Sequence, residues 1–545
     1  MDIPTGPHFV ARLPATVSGI DFLGLGAVTD RLAALVFPGI NNVTRHIRPY
    51  SMLAWIAWKF EEYVKDQPRG LTAAEIRERF RAFREKVELL FTWSNQETGE
   101  RGIIGTRRNF PEHDRIIDLS FADIGTEIVS WLDAVNYGPS LKADSGLGFA
   151  QTAKFNTLRP TLAGTELAQG LDRALRRSSY YDKLADVESP RGRLSMAKDL
   201  AKRWQAAKPT TEERECFRRA LCVPGVDVEG TDMPSNRKAA VRLVLRAIRA
   251  NGGHATIEDV RETIARGVAR GGRPLDSSGV EKTRVMWATL QLRQLERLSL
   301  EALLRWFELM LFSPPVEVTR RAATVIADFG AGLAADELGL ARDDPIDKIL
   351  RQIETKAGKE TNYYVAGLGE EEIDVFSAIQ QILVVARTED EVARLPGLAL
   401  HGLALSALQT RFLASQEYFP AWLQLGGRPR LSLATMAEVI DQRASDTVEQ
   451  FFQFAIETLV IGQHFATAAA RLEPDKNKYR FLPEEDGYRL LLGRDREILR
   501  LGVTADRLET AMSLMCECGL LESDGLPGDM ETGFRLGPAA KELLN

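Results

Sequence analysis

Apolar residues recur at steps of three and four along nearly every long stretch of this chain, and strict apolar/polar alternation, the mark of a half-buried strand, is scarce. The stretch "TAAEIRERFRAFREKVELLF" (72–91) shows the pattern. Ile76, Phe80, Phe83, Val87 and Leu90 fall on one helical face, and Thr72 with Glu75 has capping-box spacing. The same period predicts helices over roughly 50–64, 121–136, 237–250, 257–268, 283–312, 317–334, 372–387, 398–416, 432–442 and 445–472. The expected fold class is mainly α.

A chain of 545 residues exceeds one ordinary core. Gly-, Pro- and Asp-rich breaks at 136–148, 223–236, 341–345, 361–372 and 472–487 divide it. The expected order is an N-terminal helical domain (1–140), a helical domain or connector (141–230), a basic helix-turn-helix-like domain (231–340), a helical domain (341–485) and a C-terminal module (486–545). No tandem repeat or low-complexity tract interrupts this order. No apolar run reaches the ~20 residues of a membrane span. The start lacks a basic-then-apolar signal, and four cysteines are too few for a disulfide framework, so a cytoplasmic protein without a membrane partner is expected.

The C-terminal module reads as "YRLLLG" and "RDREILRLG", two short helices, then a longer helix from Thr504, then "GLLESDGLPGDMETGFRL", two strands around a Gly-rich turn. Three helices followed by a β-hairpin resemble the winged helix-turn-helix family over about 486–545. On the third helix Leu508, Ala511 or Met512, Met515 and Cys518 recur at one-turn intervals and point inward. Cys516 and Cys518, two positions apart, diverge on a helix and cannot share a tetrahedral metal, so both are expected as small buried hydrophobes. The outward positions include Asp506, Glu509, Ser513 and Glu517, and the wing adds Glu522, Asp524, Asp529 and Glu531. Residues 486–545 carry 7 Lys/Arg against 11 Asp/Glu, a surface that repels phosphate. The resemblance therefore implies a module that docks protein, either a partner or another part of this chain, through Asp506, Glu509, Ser513 and Glu517.

Residues 237–297 have the opposite balance, with 13 Lys/Arg against 6 Asp/Glu in a chain whose net charge is -6. Lys238, Arg242, Arg246 and Arg249 line one stripe of a helix. A glycine turn and a second helix starting near Thr256 follow, and Arg266, Arg270 and Arg273 extend the positive region. This pattern points to contact with the backbone of DNA or RNA, without sequence readout. The competing reading is a solvated helix whose arginines pair with acids of the same chain.

Motifs for catalysis are sparse. The six histidines are widely separated, and no zinc-binding helix, Cys-x-x-Cys pair or Gly-Lys-Ser/Thr phosphate loop occurs, so no metal and no cofactor is expected. Asp347, Glu354 and Lys356 are residue types of metal-dependent nucleases. Ile346, Ile349, Leu350 and Ile353 around them keep helical period, however, where such nucleases use a strand. In "PGINNVTRHIRPYSMLAWIAWKFEEY" (38–63), Arg45, His46, Arg48 and Tyr50 cluster between apolar stretches as a candidate anion or ligand site, or as a loop held by Tyr50, Trp55 and Trp58. This segment is similar to uncharacterised bacterial anti-phage (antiviral) defence proteins, a resemblance that lends no catalytic residue.

The functional expectation is a non-catalytic subunit of a bacterial assembly that contacts nucleic acid through its middle and docks protein through its tail. The alternatives are a kleisin-like bridging subunit of an ATPase complex, an enzyme such as a nuclease with an unfamiliar site, and a sequence-specific regulator. The acidic third helix argues against the last.

Overall fold

Thr72 opens the second long helix as its spacing predicts. In the computed structural model its hydroxyl accepts the Glu75 amide at 3.3 Å, and Glu75 accepts the Thr72 amide at 2.8 Å. The structure describes residues 21–544 except 68–69, 101–102, 105–109, 125–129, 145, 223–236, 369–372, 417–420, 473–476, 492–497 and 526–531. The expected 223–236 linker and the wing acids Asp529 and Glu531 lie outside the described residues.

The elements that matter below run in chain order. Helix α1 spans Arg48–Lys65 and α2 spans Ala73–Glu97, with Phe80, Phe83, Val87 and Leu90 buried. Helix α3 (Arg237–Ala250), strand β1 (His254–Ala255) and helix α4 (Ile257–Arg266) follow, then the long α5 (Glu281–Phe312) and α6 (Asp347–Ala357). A hairpin of β2 (Phe481–Glu484) and β3 (Gly487–Leu490) precedes α7 (Leu508–Glu517), β4 (Leu521–Ser523) and β5 (Phe534–Leu536). Most of the remaining chain is helical, so the protein is mainly α.

Three local expectations are corrected. Gly487–Leu490, expected to open a short helix, is a strand paired with Phe481–Glu484. Glu485 and Asp486 form the turn of that hairpin, and Gly487 pairs with Glu484 at its end. Gly487 holds φ 131°, and a Cβ there would lie 2.1 Å from the Arg321 carbonyl, so glycine is required. Residues 121–136 do not form one helix: Phe121–Ile124 make a single turn, and residues 131–137 are turns. The third helix begins at Leu508 rather than Thr504, and the other two expected there are absent among the described residues.

The chain divides into two compact units. One comprises the chain up to Ala33, Ile264–Gly272 and Arg284–Thr504. The other comprises Ala34–Thr263, Arg273–Thr283 and Ala505–Asn545.

In the second of these, α1 packs on Leu162–Leu175 and α2 on Leu194–Ala201. Trp55 donates its indole N–H to buried Asp172 at 2.9 Å. Strands β1, β5 and β4 form one antiparallel sheet with β5 central. His254 and Ala255 face Arg535 and Phe534, and Leu521 and Ser523 face Leu536 and Phe534. Stretches that composition assigned to separate domains, 231–340 and 486–545, thus share a sheet. Leu508, Met512, Leu514, Met515, Leu520, Leu521 and Phe534 are all at most 1% exposed. At about 1.5–3 kcal/mol per large apolar side chain, their burial contributes on the order of 10–20 kcal/mol before entropy is counted.

In the first unit α5 is buried nearly all round and carries its charges inward. Trp306 meets Phe452 edge-on at 5.6 Å, and Arg480 forks onto Glu308 at 2.6 and 2.7 Å. Arg293 directs N–H groups at the carbonyls of Leu431 and Arg430. Glu296, 2.9 Å away, is left ion-paired but without a hydrogen bond. Burial raises the Glu296 carboxyl to about 7 against the pull of Arg293.

Residues 498–504 have no regular structure and run along α5, held by its side chains. Glu308 accepts the Leu499 amide at 2.8 Å, and Arg305 and Arg297 donate to the carbonyls of Leu499 and Gly502, each at 2.5 Å. Gln294 donates to the Thr504 carbonyl at 2.5 Å and accepts its amide at 3.1 Å. Every one of these bonds reads backbone. Together they supply about 3–7 kcal/mol at the usual net value of a hydrogen bond.

Candidate functional site

Helix α1 begins without a side-chain cap, because its N-cap residue is Ile47. The missing acceptor comes from the other end of the chain. Glu517, the last residue of α7, accepts the Ile47 amide at 2.7 Å and bonds His46 Nδ1 at 2.5 Å. A carboxylate at a helix N-terminus faces free N–H groups and the positive end of the dipole. Around it Glu509 pairs with Arg45 at 2.9 Å, Thr510 donates to the Asn42 carbonyl at 3.1 Å, and Asn42 donates to the Ala505 carbonyl at 3.3 Å. Buried Asp506 takes a two-pronged contact from Arg261 at 2.5 and 3.2 Å and accepts the Leu508 amide at 3.1 Å.

The cations of the 42–48 segment and the acids of α7, each singled out separately in the sequence, therefore meet. Of the four residues assigned to docking, Asp506 and Ser513 are buried, Ser513 donating to the Glu509 carbonyl at 2.9 Å, and Glu509 and Glu517 are half-buried. No residue of α7 is exposed. Arg48 and Tyr50 are core groups. Arg48 is 1% exposed, lies 2.9 Å from Glu213 and donates to the carbonyls of Arg203 and Lys208. Tyr50 is fully buried, donates to Ser140 at 2.9 Å, and burial pushes its phenol up to about 12.

The basic stripe of α3 is partly engaged. Arg246 donates to the carbonyls of Asp276 and Ser278 at 3.2 and 2.9 Å, and the Asp276 carboxylate lies 3.7 Å from both Arg246 and Arg249. Hydrogen bonds from Ser278, joined by these two guanidinium groups, hold that carboxyl below its usual range. Arg249 and Arg273 are exposed, and Arg273 donates to the Arg249 carbonyl at 3.3 Å. Lys238 and Arg242 are half-buried and have no carboxylate partner among the described residues. The candidate set does not belong to one unit, since Arg266 and Arg270 fall in the other. There Arg270 is exposed, whereas Arg266 is buried, paired with Asp374 at 2.7 Å and stacked over Phe376.

Burial raises both thiols near the end of α7 to about 12, and Cys518 Sγ lies 3.5 Å from the Met515 carbonyl. Burial thus disfavours the thiolate form that metal ligation or nucleophilic attack requires. No group of three or more His, Cys, Asp or Glu able to hold a metal occurs among the described residues. The nuclease-like segment is α6, a helix with Ile349, Leu350 and Ile353 inward and Glu354 and Lys356 exposed. No helix is long and apolar enough to cross a membrane among the described residues. Compared with known proteins, the chain matches no family model, no curated protein and no solved structure.

Proposed function

We propose that the chain is a non-catalytic subunit of a bacterial assembly that touches the phosphate backbone of DNA or RNA through α3 and the loop after α4. The observation that supports this most is the surplus of charge there: one carboxylate, Asp276, stands against both Arg246 and Arg249, while Lys238, Arg242 and Arg273 form no ion pair among the described residues.

The element order α3, β1, α4, α7, β4, β5 supports reading these elements as a split winged helix-turn-helix, with residues 267–507 between the second and third helices. On this reading the helix that would enter a groove is α7. Its acids and its burial bar that role, so the module docks protein, with segment 42–48 of the same chain as its first partner. A place in anti-phage defence belongs to the same proposal and rests on the 38–63 resemblance alone.

The test is DNA and RNA affinity across a salt series for wild type and for Lys238, Arg242, Arg249 and Arg273 changed together to Glu. Four phosphate contacts give a log–log slope of about -3 to -4, which the variant loses. Equal binding by both proteins, or a flat salt response, rejects the reading.

A further inference from the structure

The tail of the chain, residues 505–545, contributes α7, β4 and the central strand β5 to a sheet whose remaining strand is β1. It also brings Asp506, Glu509 and Glu517 to Arg261, Arg45 and the start of α1. We propose that this arm is exchangeable: two copies of the chain form a dimer in which each arm completes the sheet of the other copy.

Three observations carry this. The arm cannot simply be shed, because its seven large apolar side chains are all at most 1% exposed and β1 would lose its partner strand. Exchange with an identical chain restores every one of those contacts, which detachment does not. The connection into the arm is also built to open. Residues 498–504 lack regular structure, Gly502 and Val503 are exposed, and the side chains of α5 hold the segment by its backbone at Leu499, Gly502 and Thr504. At the junction Arg507 adopts φ 67°, a left-handed conformation that a side chain resists, directly before α7. A short hinge under backbone strain favours exchange, since the straightened connection relieves it. The strap bonds are the weak link and the arm core the strong one. Exchange therefore occurs as the chain folds, and dimer and monomer interconvert slowly afterwards. This inference stands apart from nucleic-acid binding and is read by mass.

The experiment refolds the full-length protein over a range of concentrations and measures mass by light scattering. A dimer fraction that rises with refolding concentration and persists on dilution is expected. Monomer at every concentration overturns the proposal. Exchange is then separated from ordinary surface association by two charge reversals, Arg261→Asp and Asp506→Arg, refolded alone and together. Each single variant places like charges at a buried contact. In an exchanged heterodimer both contacts are complementary again, so heterodimer exceeds either homodimer by about tenfold or more. A statistical mixture, in which heterodimer is merely half of all dimer, overturns the proposal. Should both single variants fail to fold alone, folded heterodimer on mixing supports exchange, and its absence overturns it. The half-exposed pair Arg45→Glu with Glu509→Arg repeats the measurement with milder variants.

Discussion

Glu517 caps a helix whose N-cap residue, Ile47, lies 470 residues earlier, accepting the Ile47 amide at 2.7 Å while His46 holds the other carboxylate oxygen. The contact joins the C-terminal helix to the start of α1 without an apolar group taking part, so its value can be isolated by changing one atom or the whole carboxyl.

Glu517→Ala is expected to lower unfolding free energy by about 2–3 kcal/mol, since it removes two charge-assisted hydrogen bonds and leaves the Ile47 amide without its acceptor. Glu517→Gln keeps an acceptor for Ile47 and loses about half as much. Urea denaturation of the three proteins checks this. Equal losses for Ala and Gln would mean that the amide bond to Ile47 contributes nothing.

His464 is fixed as the neutral form. Its Nε2 accepts the Arg480 amide at 3.0 Å and Nδ1 donates to the Phe22 carbonyl at 3.2 Å, and burial lowers its pKa to about 4. The unfolded chain takes up this proton near pH 6.5 and the folded chain only near 4, so stability is lost as pH falls through that window, by about 3 kcal/mol for this residue. His401, also lowered to about 4 by burial, acts in the same direction. His464→Gln is less stable at neutral pH, and the gap to wild type narrows as pH drops from 6.5 to 4. Stability measured at four pH values checks it, and a gap independent of pH refutes it.

Glu296 has the opposite sign. With its carboxyl raised to about 7, the folded state holds a proton that the unfolded state has released above about 4.5. Stability therefore falls as pH rises from about 4.5 to 7, which offsets part of the opposite trend from His464 and His401 in the wild type. Glu296→Gln, which stays neutral, is expected to match wild type at pH 4.5 and to exceed it by about 1–3 kcal/mol at pH 7.5. Thermal melts at those two values decide it.

What the sequence made legible followed from local physics. The Thr72–Glu75 cap, the buried face of α2, the inward Met515 and Cys518, and the helical period of α6 all depend on residues within a few positions of one another. The hairpin at Phe481–Leu490 had a local signal too, a Glu485-Asp486 turn followed by Gly487, which the surrounding charges made look like a loop. The contacts of Glu517 had none. Ile47 as an N-cap announces only that something else must cap α1, and Glu517 on an isolated helix looks like one more solvated acid. Nor do two or three residues of β1 alternate long enough to betray a strand. Its partner lies beyond residues 267–507, so composition assigned the halves of one sheet to two domains of opposite charge.

That shared sheet has a measurable consequence. Phe534 sits on the central strand opposite both Ala255 and Ser523, fully buried. Phe534→Ala leaves a cavity between strands contributed by both halves and is expected to cost about 3–5 kcal/mol. If β1, β4 and β5 open as one cooperative body, the substitution lowers amide-exchange protection at 254–255 by as much as at 521–523. Independent modules would respond differently: residues 521–523 would lose protection while 254–255 kept theirs. Hydrogen exchange at these two places, compared between wild type and Phe534→Ala, therefore distinguishes one split module from two.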